Sequence, residues 1–277
     1  MYQILQRQDL VPNIHQYRIA APKIAEKAQP GQFIIVRVDE VGERIPLTIA
    51  DWNRDEGSIS VVFNEVGRTT HKMALLQQGD SILNVVGPLG IPTEIENYGT
   101  VVCVAAGYGI AAMAAIARAL KEAGNTVISI VRAPSKETLF GDERLGSFSD
   151  QITVVTGDGS YGVECFVLEP LKDVLDRDEI DRVLTIGPAC VMRLVALTTR
   201  PFEVKTMAHL NPIMVDGTGM CGCCRVMVGE KTRFACVDGP EFDAHEVDWT
   251  WLLARRCTYS GADTPMLQYQ CRFCAQW

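Results

Sequence analysis

The side chains best suited to hold a metal crowd toward one end of this 277-residue sequence. Asp216, Cys221 and Cys224 follow one another with four and then two residues between them, and Cys236 comes after eleven more. A cysteine in place of Asp216 would give C-x4-C-x2-C…C, the spacing that wraps a two-iron, two-sulfur core. The glycine-rich loop between these residues can close on a compact inorganic cluster and aim its N–H groups at the sulfides. Asp216, Cys221, Cys224 and Cys236 are therefore the candidate ligands. The competing possibility is a structural zinc held by Cys221, Cys223, Cys224 and Cys236, but zinc favours paired C-x2-C knuckles and only one such pair is well formed. Cys223, between two proposed ligands, is expected to point away as a free thiol. The tail adds Cys271 and Cys274, which would need two further ligands such as Cys257 and His245. Docking against a partner chain through Phe273 and Trp277 is the simpler expectation for that segment.

A second chemical signal lies at Val101–Ile110, an apolar run that passes into a helix through Gly107 and Gly109. At a strand-to-helix junction, glycines let the backbone approach a pyrophosphate while the helix N-terminus attracts its charge. Glycines also stand at such turns for steric reasons alone, so this turn does not decide the matter by itself. The full G-x-G-x-x-G pattern is absent because position 112 is Ala112. No acid closes the following strand; Arg132 stands there instead.

These residues need elements to position them. Residues 1–95 read as β-rich: Gln32–Val38, Ser58–Phe63 and Ser81–Val86 are short alternating runs separated by turn signals at Pro30-Gly31, Asp55–Gly57 and Gln78–Asp80. Such spacing predicts a small barrel or sandwich. Gly87–Pro92 is expected to break the pattern and mark a boundary. Over 96–210 buried strands (Val101–Ala105, Thr126–Val131, Ile152–Thr156, Val183–Ile186) alternate with helices (Ala111–Glu122, Ala189–Thr198). That order predicts a doubly wound parallel sheet. Residues 211–277 form a third, cysteine-rich unit that is too small to be stable without a metal or neighbour contacts.

Composition narrows the class. With 26 Lys and Arg against 34 Asp and Glu the formal net charge is −8, which offers no electrostatic footprint for nucleic acid. Hydrophobic residues at 47% and charged residues at 22% are ordinary for a folded globular chain. Met1–Leu10 lacks the pattern of a signal peptide, and Val101–Ala117 is shorter than the roughly 20 apolar residues that a membrane span needs. A cytoplasmic protein is expected. Seven of the ten cysteines fall after position 220, and such crowding in a chain without an export signal favours metal ligation over disulfides.

The stretches Asn211–Val226 and Phe234–Asp243 closely resemble the small subunit of NADH-dependent reduced ferredoxin:NADP⁺ oxidoreductase. That family overlaps the sulfide dehydrogenase beta subunit and is related to the electron-transfer subunit of dihydroorotate dehydrogenase. The resemblance extends over nearly the whole chain. It implies a ferredoxin-reductase-like FAD barrel, a parallel-sheet NAD domain and a C-terminal [2Fe-2S] module held by Asp216, Cys221, Cys224 and Cys236. Dihydroorotate-type relatives carry cysteine in the first ligand place, so Asp216 argues for the transhydrogenase branch.

The resemblance also implies site residues. Arg44, Pro46, Leu47 and Thr48 match its flavin motif, with the arginine at the pyrophosphate and the threonine near the isoalloxazine. An arginine fork suits phosphate, and a proline fixes the strand beside the ring. Gly67, Thr69 and Thr70 match a second phosphate turn. Gly107, Gly109 and Ile110 match the NAD(H) turn, and Asp158, Gly159 and Ser160 a further nucleotide loop. The family usually has glycine at position 106 and proline at 112, where this chain has Ala106 and Ala112, so the choice between NAD(H) and NADP(H) stays open.

By the same resemblance, the chain is expected to be an NAD(P)H-linked oxidoreductase subunit in a flavin-based electron-bifurcating complex. Its partner is a larger flavoprotein with iron–sulfur clusters, and ferredoxin is reached directly or through that partner. The alternatives are the same module serving a dihydroorotate-, sulfide- or glutamate-synthase-type enzyme, or a non-catalytic adaptor that no longer binds nicotinamide.

Overall fold

The computed structural model describes residues 1–257. Cys271, Cys274, Phe273 and Trp277 lie outside the described residues, as does the side chain of Cys257. The first unit contains β1 (Tyr2–Val11), β2 (Ile14–Ala20), β3 (Phe33–Arg37), β4 (Ile45–Asn53), β5 (Ser58–Asn64), β6 (Ser81–Ile82) and β7 (Asn84–Leu89), with helices α1 (Pro22–Lys27) and α2 (Arg68–Leu75). The strands pair antiparallel in the order β6-β1-β2-β5-β4-β3-β7. Its two edges, β6 and β7, are separated in the chain by Leu83 alone, so the sheet curls into a nearly closed barrel. Closure removes exposed sheet edges and encloses Ile4, Tyr17, Ile19, Ile34, Ile49, Ile59 and Val61, all fully buried.

Gly87–Pro92 does not break the barrel where the sequence suggests. β7 runs through Gly87 and Pro88 to Leu89. Phe33 pairs with Leu89 and Ile35 with Val86, so β7 carries one extra residue there, a bulge. β7 is an end strand of the sheet, and an edge with a bulge tolerates a proline that a central strand would not.

The second unit contains β8 (Thr100–Ala106), α3 (Gly109–Glu122), β9 (Thr126–Ala133), α4 (Asp142–Gly146), β10 (Gln151–Thr156), β11 (Val163–Glu164), α5 (Leu168–Arg177), β12 (Arg182–Ile186), α6 (Ala189–Thr199) and β13 (Lys205–His209). All its strands pair in parallel in the order β11-β10-β9-β8-β12-β13. β8 shows why its sequence reads as an unbroken apolar run. Val101, Cys103 and Ala105 pack toward α3 while Val102, Val104 and Ala106 pack toward α5 and α6, so both faces are covered. Strand order reverses between β8 and β12, and Gly107 and Gly187 stand at their carboxyl ends, the crevice where doubly wound sheets bind ligands.

The third segment adds β14 (Arg225–Val228), β15 (Lys231–Phe234), β16 (Glu241–Asp243) and α7 (Trp249–Cys257). It interlocks with the other units: β16 pairs antiparallel with β13 and becomes the edge of the second sheet. One hydrophobic cluster joins Phe33 and Ile35 of the barrel, Met192 and Ala196 of α6, and Cys224, Cys236, Val226 and Trp249. Neighbour contacts thus supply the stability that about 65 residues cannot build alone. No helix among the described residues is long and apolar enough to cross a membrane.

Candidate functional site

A cavity of about 500 Å³ opens where the three segments meet. Pro46, Leu47, Thr48 and Ala50 of β4 form one wall, and the loop into α2, Gly67–Thr70, forms its end. Tyr108, Gly109, Ala111 and Ala112 at the start of α3, with Ile186 of β12, close the opposite side. His209 to Met214, the chain leaving β13 for the cysteine loop, completes the lining. The volume suits an organic cofactor. The flavin-type strand, the switch-point turn and the lead-in to the cysteines therefore share one cavity.

The glycines separate by what their missing Cβ would meet. At Gly67 a Cβ would have no atom within 4 Å, and its φ of −152° suits any residue. Neither packing nor backbone strain requires glycine there, so the space it leaves is open to a ligand. The adjoining helix N-terminus is ordered by Thr70, whose Oγ1 accepts from the Gly67 N–H at 3.0 Å and the Val66 N–H at 2.9 Å. The first N–H groups of α2 have no acceptor within the helix and can face phosphate oxygens. At Gly109, by contrast, a Cβ would come within 2.5 Å of the Ile186 carbonyl oxygen, so this glycine lets α3 pack on β12. Gly107 has φ +55°, and a Cβ there would meet nothing.

Of the residues singled out in sequence, Pro46, Leu47, Thr48, Gly67, Thr69, Thr70 and Gly109 line the cavity. Arg44 is exposed just before β4 and outside that lining. Ile110 is fully buried beneath α3 and its N–H donates to the Gly107 carbonyl at 3.1 Å, so it supports the turn rather than contacting a ligand. Asp158, Gly159 and Ser160 form a separate turn past the carboxyl end of β10. There the Ser160 N–H and hydroxyl donate to Asp158 Oδ1 at 3.0 and 2.6 Å and hold that carboxyl below the usual carboxylate range. Ser160 Oγ accepts from the Lys136 N–H at 2.8 Å, which docks this turn on the end of β9. Arg132 is half-buried with its guanidinium 4.8 Å from the Phe166 ring centroid.

Sequence reasoning passed over Arg68, Tyr108, His209 and Asn211. Asn211 Nδ2 donates to Tyr108 Oη at 2.5 Å and to the Gly187 carbonyl at 3.2 Å, tying the cysteine segment to the switch point. His209 is buried and donates through Nε2 to the Gly31 carbonyl at 2.7 Å; burial lowers its pKa and keeps it neutral. Arg68 and Tyr108 stand inside turns that the sequence marks and Asn211 opens a stretch that it marks, whereas His209 is placed by tertiary contact alone.

Of the candidate ligands, Cys224 and Cys236 meet through their sulfurs, while Asp216 meets Cys221 through its backbone N–H. Asp216 Oδ2 accepts from the Cys221 N–H at 2.7 Å, and Oδ1 accepts from the Thr218 N–H at 2.5 Å and hydroxyl at 3.0 Å. These bonds, led by the Thr218 N–H, hold the Asp216 pKa down to about 2. The Cys224 and Cys236 sulfurs are buried 3.2 Å apart. Burial first, and then the Cys224 contact, push Cys236 up to about 12, while the Gly219 N–H points at its sulfur. A thiol so placed is inert until a metal displaces its proton. The buried Cys224–Cys236 pair, with Asp216 and Cys221 on the neighbouring loop, supplies the donor types that a two-iron core takes. Among the described residues no three His, Cys, Asp or Glu side chains converge on a single metal ion, and Cys223 is a free, half-buried thiol whose pKa its neighbour Cys221 raises. His245, considered as a tail ligand, is bonded through Nε2 to Thr199 Oγ1 at 3.0 Å.

Comparison with known proteins agrees with this architecture. Residues 211–248 match the model of the iron–sulfur cluster binding domain of dihydroorotate dehydrogenase B. A Thermotoga maritima protein named as a dihydroorotate dehydrogenase B (NAD(+)) electron transfer subunit homolog is 44% identical over 93% of this chain and 91% of its own length. A solved structure from work on flavin-based electron bifurcation by NADH-dependent reduced ferredoxin-NADP oxidoreductase superposes with a TM-score of 0.90 at 42% identity, covering 98% of each chain. A ferredoxin NADP⁺ reductase from Neisseria gonorrhoeae, 18% identical over 73% of this chain and 90% of its own, shares the fold at a TM-score of 0.60.

Proposed function

The chain belongs to the family of dihydroorotate dehydrogenase B electron transfer subunits, and from that premise we propose that it carries electrons between NAD(H) and a larger partner subunit, using FAD and a [2Fe-2S] cluster. The observation that carries this is the shared cavity, because one space of about 500 Å³ is lined by barrel, switch-point turn and the lead-in to the cysteines. When bound, the flavin converts two-electron to one-electron chemistry and the cluster conducts single electrons.

The chain's own residues position and insulate. β4 offers Pro46, Leu47 and Thr48 as a rigid wall for the flavin ring. Gly67, Thr69 and Thr70, at the α2 N-terminus, take its pyrophosphate, with Arg68 of the cavity lining and the exposed Arg44 supplying charge. Gly107 and Gly109 receive the nicotinamide dinucleotide at the end of β8, and Asp158, Gly159 and Ser160 bound its outer side. Asp216, Cys221, Cys224 and Cys236 hold the cluster, and ionisation of the two buried thiols accompanies its assembly. No general acid or nucleophile is needed, since the cofactors carry the reaction.

The complex is of the NADH-dependent reduced ferredoxin:NADP⁺ oxidoreductase type, working in the cytoplasm with ferredoxin reached directly or through the partner. Asp216 in the first ligand place supports this over the dihydroorotate-type role.

An anaerobic NADH titration of the purified chain, with flavin, iron and sulfide assayed, tests the proposal. Flavin bleaching with about two irons per chain is expected. Flavin and cluster indifferent to both NADH and NADPH would leave only a wiring role, and zinc without iron would overturn the redox assignment.

A further inference from the structure

Strand β4 and helix α3 each run from the cavity to one ionic contact outside it. β4 gives Thr48 to the cavity and, three residues later, presents Asp51; α3 starts at Gly109 in the cavity wall and later presents Arg118. Asp51 Oδ1 accepts from Arg118 Nη1 at 3.0 Å, and Oδ2 accepts from Arg144 Nη2 of α4 at 2.5 Å. The three side chains are 29%, 26% and 36% exposed, so water reaches the contact only in part. The Arg118 guanidinium also lies 5.2 Å from the Trp52 ring centroid, which holds it from a second side.

One carboxylate of the barrel thus engages cations from two helices of the second unit, one with each oxygen. None of the three residues belongs to either hydrophobic core. With about 1.5 Å of rise per helical residue and about 3.3 Å per strand residue, the contact stands some 13 Å from Gly109 and some 10 Å from Thr48. A rotation of α3 about this contact therefore shifts Gly109 relative to Thr48 and changes the spacing of the two cavity walls.

We propose that Asp51 is a positioning residue: it locks α3, and with it the nicotinamide turn, at a fixed distance from the flavin strand. The inference rests on the cavity being a joint flavin and nicotinamide site. In the step served, the C–H bond of the dihydronicotinamide breaks, its hydrogen passes with both electrons to the flavin, and the oxidised pyridinium is left. Hydride transfer is steep in distance, so a displacement near 1 Å costs on the order of ten- to a hundredfold in rate.

Asp51→Asn, made in the full chain carrying flavin and cluster, tests this by stopped-flow reduction with saturating NADH. The limiting rate of flavin reduction is expected to fall about tenfold while the NADH Kd stays within about twofold. The long-wavelength absorbance of the nicotinamide–flavin contact weakens in parallel, and Asp51→Glu recovers most of both. In the chain freed of cofactors, amide hydrogen exchange in α3 and α4 accelerates while that of β8 and β12 stays unchanged. If Asp51→Asn does not fold, Arg144→Gln removes one arm and carries the same expectations at smaller size. A variant with lowered Tm but normal limiting rate and contact absorbance reduces the ion pair to a stabilising one and overturns the proposal, as does unchanged exchange in α3. A wild-type chain that NADH cannot reduce refutes the cavity assignment itself; a reducible wild type matched by Asp51→Asn refutes the positioning role alone.

Discussion

Two glycines that look alike in the sequence do opposite things. Gly109 is filled space: a methyl group there would press on the Ile186 carbonyl at 2.5 Å, a backbone atom that cannot swing aside. Gly67 is empty space at ordinary φ. Gly109→Ala should therefore destabilise the chain by about 1–3 kcal/mol, the range for forced overpacking, whether or not flavin is present. Gly67→Ala should leave the cofactor-free chain's Tm within about 2 °C and weaken FAD binding about tenfold, since only a ligand would meet the new methyl. Thermal denaturation of the cofactor-free variants with a parallel FAD titration separates the two. A Gly67→Ala chain that binds FAD normally would move the pyrophosphate away from α2.

At the scale of elements, the edge strand β16 has a pH dependence built into its place. Glu241 sits where β16 seals the second sheet, and its Oε2 accepts from the Thr93 hydroxyl at 2.9 Å. Burial raises its pKa from 4.5 to about 7. The native chain thus holds a proton between those values that the unfolded chain has lost, so the contribution is full below pH 4.5 and disappears as pH rises through 7. Glu241→Gln keeps the shape and the acceptor while removing the titration. Urea midpoints at pH 5 and pH 8 should show wild type losing on the order of 1–3 kcal/mol more than the variant across that interval; parallel slopes would place the carboxyl in water. β16 itself was invisible in the sequence, because three residues carry no periodicity. Central elements were legible for the converse reason: β8, β9 and β12 are covered on both faces, so their apolar runs stand out, and α3 follows a glycine turn. The candidate ligand quartet stands out through its spacing alone. The meeting of Tyr108, His209 and Asn211 at the cavity was not legible, since it depends on how β13 leads into the cysteine loop rather than on anything local.

For the whole molecule, the question is where electrons leave. The cavity faces inward between the units, whereas the loop bearing Asp216 and Cys221 is at the surface. Met220, one residue before Cys221, is 87% exposed, and Val215 and Val237 on the same loops are partly exposed. Apolar side chains grouped at the rim of a redox site are unfavourable in water and gain when a partner covers them. Their position also fits the proposed flow: with nicotinamide taken at the carboxyl ends of β8 and β12, the cysteine loop follows Asn211–Met214 of the cavity lining. Met220→Glu should therefore weaken binding to the larger subunit by about tenfold while leaving flavin reduction by NADH intact, because the substitution touches the exit and not the entrance. Titration calorimetry against the copurifying subunit, with NADH reduction of the free chain as control, checks both halves. Unchanged affinity would put the partner on another face of the chain.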